Sequence, residues 1–233
     1  GKKGTKVTLT VMRDNVREPK IFEITREEII LKTVKSNMME NSIGYIRITM
    51  FDEDTGSEFK KALKELTSQN MKGLILDLRQ NPGGFINQCV DVADELLDEG
   101  LVVYTEDKAK KREDYKSGKG KLEVPFVVLI DEGSASASEI VSGAVKDRKA
   151  GLLIGVKTFG KGLVQSIEQL KDGSGIKLTT QKYYTPNGIS INKIGIQPDI
   201  EVKAPEPEEG QNPEDVKDVQ LERAVAELLK QIK

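Results

Sequence analysis

The chain has 233 residues, with 36 Lys and Arg against 38 Asp and Glu, a single Cys and no His. The lack of histidine excludes a Ser-His-Asp triad, a Cys-His dyad and every zinc site that needs an imidazole ligand. One cysteine, Cys89, can form neither an internal disulfide nor a thiolate metal cluster. The net charge of -2 gives no basic field for nucleic acid. No apolar run reaches the roughly 18 residues that indicate a membrane-spanning helix.

Alternating polar and apolar residues predict that the chain begins with β-strands. The predicted strands cover residues 7–11, 21–24, 29–34 and 43–50, and a polar turn is predicted over 36–42. A helix is predicted next, over residues 57–70. Its apolar stripe is formed by Phe59, Leu63 and Leu66, and Ser57 is a suitable N-cap.

The middle of the chain alternates strands with helices. Short apolar runs are typical of strands that are buried on both faces, and they occur at residues 73–78, 126–130 and 152–156. Amphipathic helices follow the first two runs, one with its stripe on Val90, Ala93 and Leu97 and one over residues 136–147. This alternation predicts an α/β core with parallel strands.

The segment between these two units has a different composition. Residues 101–104 predict a short strand. Residues 107–121 are charged, contain glycine and have almost no apolar side chains, which predicts a mobile surface loop.

The last third of the chain predicts three further features. Two antiparallel strands are expected at 164–170 and 176–184, around the turn at Asp172-Gly173. Residues 203–215 are acidic and rich in proline, which is typical of a linker or an arm. A terminal helix is expected from the stripe Leu221, Val225, Leu228 and Ile232.

Ser136 lies in the loop GSASASE, between a predicted buried strand and a predicted helix. Such an elbow aims the first helical residues at the edge of the sheet where α/β sites usually lie. The unpaired N–H groups of the helix start are ready oxyanion donors. On this loop alone, the simpler interpretation is favoured: Ser136 is an N-cap and Glu139 completes a capping box. Ser134 and Ser138 are the competing candidates for a nucleophile.

Lys161 lies in the loop TFGKG, again directly after a predicted buried strand. An exposed turn lysine is the commoner case for such a position. Burial disfavours the charged ammonium form, however, and a neutral lysine can accept the proton of a serine. In a chain without histidine, a Ser-Lys pair is the most economical route to nucleophilic catalysis.

The remaining candidates are weaker when taken alone. Asn81-Pro82-Gly83-Gly84 ends a predicted strand, and its glycines would allow a close approach of a ligand or supply an oxyanion N–H. Cys89 lies on a helical stripe without a histidine partner and is interpreted as a buried structural thiol. Asp77 and Arg79 share a strand face, which predicts local pairing.

Taken together, these segments resemble the C-terminal processing peptidases, also called tail-specific proteases. The matching segments are 74–84, 133–140, 155–165 and 183–200, and they follow one another in the family's order. The resemblance implies that Ser136 is the nucleophile, Lys161 the general base and Gln165 the residue that steadies the lysine. It also implies an oxyanion hole formed by the N–H groups of Gly83 and Ala137, with Gly84 a less favoured alternative.

The family's fold implies an α/β architecture, with a crotonase-like ββα-spiral protease core and an additional β-rich cap. Residues 1–13 resemble the last strand of the PDZ domain that the family usually carries, so most of that domain is expected to be missing. We therefore divide the chain into the PDZ remnant, cap or connecting strands at 14–42, a peptidase core at 43–202, and the acidic arm with the terminal helix at 203–233.

The resemblance implies a serine endopeptidase that cleaves protein or peptide substrates with apolar C-termini through an acyl-enzyme, without metal or cofactor. It further implies an extracytoplasmic location, and a homo-oligomer is a candidate assembly. Two other functions stay open. The first is a peptide-binding relative without catalysis on the same scaffold, and the second is a crotonase-like acyl-CoA enzyme, which rests on fold analogy alone.

Overall fold

The computed structural model describes residues 1–14, 16–29, 31–205 and 216–232. These residues form two compact units, Gly1–Lys32 and Thr33–Lys233. The first unit is an antiparallel hairpin of two strands, β1 (Lys6–Val11) and β2 (Lys20–Thr25). Both strands were predicted from their alternating apolar residues. The interpretation of residues 1–13 as a PDZ remnant stays a prediction.

The second unit contains a six-stranded sheet and a four-stranded sheet. The strands of the larger sheet are β3 (Val34–Met38), β4 (Ile43–Ile48), β5 (Gly73–Asp77), β8 (Phe126–Ile130), β9 (Leu152–Gly155) and β12 (Ile200–Glu201). Their order is β12-β9-β8-β5-β4-β3, and every neighbouring pair is parallel except β3 with β4. The predicted parallel α/β core is therefore confirmed.

Four helices cover the larger sheet. They are α1 (Thr55–Ser68), α2 (Ile86–Leu96), α3 (Ala137–Asp147) and α4 (Val219–Leu229). Successive side chains of a strand point to opposite faces, so each buried strand contributes to two cores. Leu74 and Leu76 of β5 pack in the cluster that contains α1, α2 and α3, whereas Ile75 packs in the cluster that contains α4. This burial on both faces explains why the strand sequences are continuous apolar runs.

The smaller sheet contains a strand where a mobile loop was expected. Its strands are β6 (Gly100–Asp107), β7 (Arg112–Ser117), β10 (Leu163–Gln169) and β11 (Gly175–Tyr184), in the antiparallel order β10-β11-β6-β7. The prediction of a loop over 107–121 was therefore wrong. β7 is an edge strand with mostly exposed side chains, so its pairing with β6 leaves no apolar alternation in the sequence.

Three element boundaries near the start of the second unit were also predicted wrongly. The strand expected at 29–34 begins only at Val34, and the expected polar turn at 36–42 contains most of β3. Helix α1 begins two residues before Ser57, and its N-cap is Asp54. These boundaries were missed because Lys35, Ser36 and Asn37 inside β3, and Thr55 and Gly56 at the start of α1, carry no apolar signal. β3 pairs with β4, so part of the segment that we assign to the cap lies in the core sheet.

The end of the chain is described only in part. Most of the predicted acidic arm, residues 206–215, lies outside the described residues. The predicted terminal helix is present as α4, and its buried residues include Ala224 and Leu228. Our division of the chain into four segments stays a prediction. Within the described residues, no helix combines the length and the apolar character that a membrane crossing requires.

Replacement of Leu228 by alanine should destabilise the fold, because its side chain is 0% exposed and packs against the core sheet. We expect the free energy of unfolding to fall by about 2–5 kcal/mol. The neighbouring Leu229 is 44% exposed, so Leu229→Ala should change this free energy by less than about 0.5 kcal/mol. Urea denaturation of both variants measures the difference. Equal losses would contradict the packing of α4 on the sheet.

Candidate active site

Three loops meet at the C-terminal ends of the parallel strands of the larger sheet, where α/β sheets usually bind ligands. They follow β5, β8 and β9, which are adjacent in the sheet order. The loop after β5 contains Asn81 and Gly83, the loop after β8 leads to Ser136, and the loop after β9 contains Lys161. The sheet thus brings the predicted nucleophile and the predicted base to one edge.

Hydrogen bonds fix the first two loops to each other. The carbonyl oxygen of Asn81 accepts the N–H of Ala135 and the hydroxyl of Ser138, both at 2.9 Å. The carboxylate of Asp131 accepts the N–H of Gln80 at 2.9 Å and that of Ser134 at 3.0 Å. The elbow after β8 is therefore held in register with the end of β5.

Ser136 lies at the N-cap of α3 in an unusual backbone conformation. Its φ is 54° and its ψ is -111°, a combination that non-glycine residues seldom adopt. Backbone strain of this kind is found most often at functional sites. The loop after β5 packs tightly against this elbow. A Cβ atom at Gly83 would lie only 2.7 Å from the Cβ of Ser136, so glycine is required there by space as well as by its φ of 100°.

The two competing serines are held in structural hydrogen bonds. Ser134 is fully buried, and its hydroxyl donates to the carbonyl of Leu78 at 2.8 Å. Ser138 is also fully buried and donates to Asn81. Ser136, by contrast, is half-buried and lines a cavity. Access therefore favours Ser136 among the three serines.

Glu139 joins the elbow to the lysine loop, a role that the sequence analysis missed. Its carboxylate is fully buried. One oxygen accepts the N–H of Ser136 at 2.9 Å and that of Lys161 at 2.8 Å. The other oxygen accepts the N–H of Gly160 at 2.7 Å and the hydroxyl of Thr158 at 2.6 Å. The sequence showed only the capping-box spacing, which is present, and nothing in it indicated the contact with the second loop.

A cavity of about 350 Å³ opens beside Ser136. Lys161 and Gln165 also line it, so the structure brings together the three residues that the resemblance selected. The side-chain nitrogen of Lys161 forms no hydrogen bond or ion pair with the described residues, and the side chain of Gln165 forms none either. Lys161 lies before β10, and a register shift at Val164/Gln165 interrupts that strand, so Lys161 and Gln165 do not belong to one regular strand face.

The predicted oxyanion donors differ in their availability. The N–H of Ala137, the first residue of α3, has no acceptor among the described residues, as expected at a helix start. The N–H of Gly83 donates to the side-chain oxygen of Asn81 at 2.9 Å. The N–H of Gly84, which was the less favoured alternative, meets no described acceptor, and Gly84 lines the cavity. Of the three predicted oxyanion donors, Gly84 and Ala137 therefore have a free N–H, and Gly83 does not.

The remaining candidates have structural partners. Arg79 forms paired hydrogen bonds with Asp77 and with Asp218, which confirms the predicted pairing and extends it to α4. Cys89 is fully buried, and burial raises the pKa of its thiol far above the usual range. Across the described ranges, no group of three or more His, Cys, Asp or Glu side chains could hold a metal ion.

Comparison with known sequences identifies the family. The sequence model of peptidase family S41 matches residues 42–202, which include the whole cavity wall described above. The chain belongs to peptidase family S41. The carboxy-terminal-processing protease of Bartonella bacilliformis is 44% identical over 215 residues, and the carboxyl-terminal-processing protease of Synechocystis sp. is 41% identical over 210 residues.

The chain spans about half the length of these S41 relatives. The two alignments include 89% and 88% of this chain, but only 49% of each relative. Among solved structures, the photosystem II D1 C-terminal processing protease is 34% identical, with a TM-score of 0.69 over 87% of this chain and 57% of that one. A lipoprotein from Streptococcus agalactiae shares the fold, with a TM-score of 0.64 at 20% identity, over 86% of this chain and 71% of that one.

Replacement of Glu139 by glutamine should destabilise the S41 site, since an amide nitrogen cannot accept a hydrogen bond. Whichever way the amide is turned, at least one of the N–H groups of Ser136, Gly160 and Lys161 loses its acceptor. Leaving a buried donor unpaired costs about 1–3 kcal/mol. Urea denaturation should show this loss. The exposed Glu132→Gln is the matched control, and an equal result for the two variants would contradict the bridging role.

Proposed function

We propose that this chain is the catalytic part of a serine endopeptidase that cleaves protein substrates near their C-termini. The observation that carries the proposal is that Ser136, Lys161 and the free N–H of Ala137 open into one cavity. Membership of peptidase family S41 and the names of the relatives support the same reaction class.

Ser136 is proposed as the nucleophile and Lys161 as the general base. As the serine oxygen attacks the scissile carbonyl, its proton passes to the neutral amine of Lys161. The tetrahedral oxyanion accepts hydrogen bonds from Ala137 and from one of the two glycines in the loop after β5. Lys161 then donates the proton to the leaving amine. Water, deprotonated by the same lysine, hydrolyses the acyl-enzyme. Gln165 is proposed to steady Lys161 once substrate fills the cavity.

The oxyanion hole carries a specific expectation. Gly83 can serve only if its N–H leaves the side chain of Asn81, whereas Gly84 is free in the present arrangement. Asn81 is itself fixed by a hydrogen bond from its amide to the carbonyl of Ile48 at 2.9 Å. We therefore place Gly84 before Gly83 in the proposal, which reverses the order that the family resemblance implied.

The lining of the cavity supports an unfolded, apolar peptide as substrate. Its apolar side chains include Phe85, Ile86 of α2, Ile140 of α3, and Leu163, Val164 and Ile167 of β10. An extended segment can bury apolar side chains there and gain the corresponding transfer free energy. A preference for apolar C-termini and the formation of a homo-oligomer are parts of the proposal that depend on the resemblance.

A location outside the cytoplasm is proposed on the same ground. One relative, 38% identical, is named as the chloroplastic C-terminal processing peptidase of Tetradesmus obliquus.

Mass spectrometry of an unfolded test protein with an apolar C-terminus tests the proposed chemistry. The parent chain should release C-terminal fragments, and Ser136→Ala and Lys161→Ala should each lower the rate on the order of 10⁴-fold or more. Ser138→Ala is the matched control. The carbonyl that Ser138 contacts also accepts the N–H of Ala135, so this variant should still fold and cleave.

Two outcomes would contradict the proposal. Cleavage that survives in Ser136→Ala would mean that another residue is the nucleophile. A parent chain that binds the test protein without cutting it would favour the peptide-binding alternative.

A further inference from the structure

Tyr183 lines the cavity, and its buried hydroxyl has no hydrogen-bond partner among the described residues. The mechanism above gives this hydroxyl no role. The residue is only 2% exposed, and its ring packs in the core cluster of α1, α2 and α3. A buried hydroxyl without a hydrogen bond is unfavourable. A phenylalanine would pack the same ring without this cost, so packing alone does not account for the hydroxyl.

The position of Tyr183 ties it to both proposed catalytic loops. Its backbone N–H donates to the carbonyl of Gly162, the residue after Lys161, at 3.2 Å. Its side chain lines the same cavity as Ser136. Burial raises the pKa of the phenol far above its usual range, and the charge of Glu139 raises it further. The hydroxyl of Ser136 lowers this pKa, because it lies close to the phenol although the two oxygens do not meet hydrogen-bond geometry. The phenol therefore keeps its proton and can act as a donor.

The residue that pairs with Tyr183 across the sheet gives the phenol no partner either. Thr105 lies directly opposite Tyr183 in the pairing of β6 with β11. Its hydroxyl is buried and also has no partner among the described residues. A phenol oxygen stands at the far end of its ring, away from the strand, so this pairing does not bring the two oxygens together.

We propose that Tyr183 is a positioning residue that donates a hydrogen bond to the side-chain oxygen of Ser136 as this oxygen attacks an electrophile bound in the cavity. The inference rests on the proposed function. This hydrogen bond would hold the oxygen of Ser136 so that the hydroxyl proton of Ser136 points to Lys161. Water would leave the cavity as the peptide enters. Tyr183 keeps its proton throughout.

The energetic role follows from the charges that move during attack. The O–H bond of Ser136 breaks and its proton goes to the amine of Lys161, while an O–C bond forms to the scissile carbonyl. The π electron pair of that carbonyl moves to its oxygen. Negative charge grows on the serine oxygen before the new bond is complete, and a hydrogen bond to a charged acceptor is stronger than one to a neutral acceptor. The contact therefore favours the transition state over the ground state.

Tyr183→Phe tests the inference, because it removes one oxygen and leaves the packed ring. We expect kcat to fall about tenfold, because the variant loses one hydrogen bond that strengthens as charge develops on the oxygen of Ser136. KM should change little. Labelling of Ser136 by a fluorescent fluorophosphonate should slow by a similar factor, because this reaction needs the nucleophile but not the peptide subsites. Thermal stability should stay unchanged or rise, since a buried unpaired hydroxyl is lost.

Tyr184→Phe is the matched control. Tyr184 follows Tyr183 in β11 and stacks on Tyr104 with the ring centroids 5.0 Å apart. It lies outside the cavity that contains Ser136. The control should retain the kcat and the labelling rate of the parent chain.

Each other outcome has a definite meaning. Unchanged kcat and labelling in Tyr183→Phe would overturn the inference, and so would a loss that is matched by a loss of thermal stability. An increase confined to KM would show that the hydroxyl contacts the peptide rather than Ser136, which also overturns it. A parent chain that neither cleaves nor reacts with the fluorophosphonate would instead overturn the proposed function, and the inference with it.

Discussion

A buried carboxylate organises the candidate site. Glu139 lies in the first turn of α3, where a negative charge interacts favourably with the helix dipole. Burying this charge is tolerable only because four donors surround it, and three of them are backbone N–H groups from Ser136, Gly160 and Lys161. The same contacts determine the distance between the elbow and the lysine loop. The carboxylate of Glu139 thus has all four donors only in the arrangement that places the proposed nucleophile and the proposed base around one cavity.

Other parts of the site depend on this arrangement. The loop after β5 reaches the elbow through Asn81, whose carbonyl binds Ala135 and Ser138 and whose side chain occupies the N–H of Gly83. β11 then closes the cavity from the smaller sheet, with Tyr183 bound to Gly162. The site is therefore built from both sheets of the second unit, although its first two loops come from adjacent strands of the larger one.

The strongest sequence signals concerned burial. The apolar runs of β5 and β8 predicted parallel strands because both faces of these strands are covered by helices. β7 left no such signal, because an exposed edge strand is defined by its backbone partner rather than by its side chains. Ser136, Lys161 and Gln165 could be selected from the sequence only as a joint pattern. The engagement of Gly83 by Asn81 could not be predicted, because it depends on the rotation of one side chain.

The pairing of Arg79 has a consequence for the order in which the chain can mature. Arg79 precedes the loop of Asn81 and is held by Asp77 and by Asp218, which lies 139 residues later in the sequence. Asp218 is also the residue that caps α4. During synthesis, Arg79, just after β5, cannot form its hydrogen bonds with Asp218 until residue 218 has left the ribosome. A nascent chain therefore already carries Ser136 and Lys161 before the loop beside them has gained this support from Asp218.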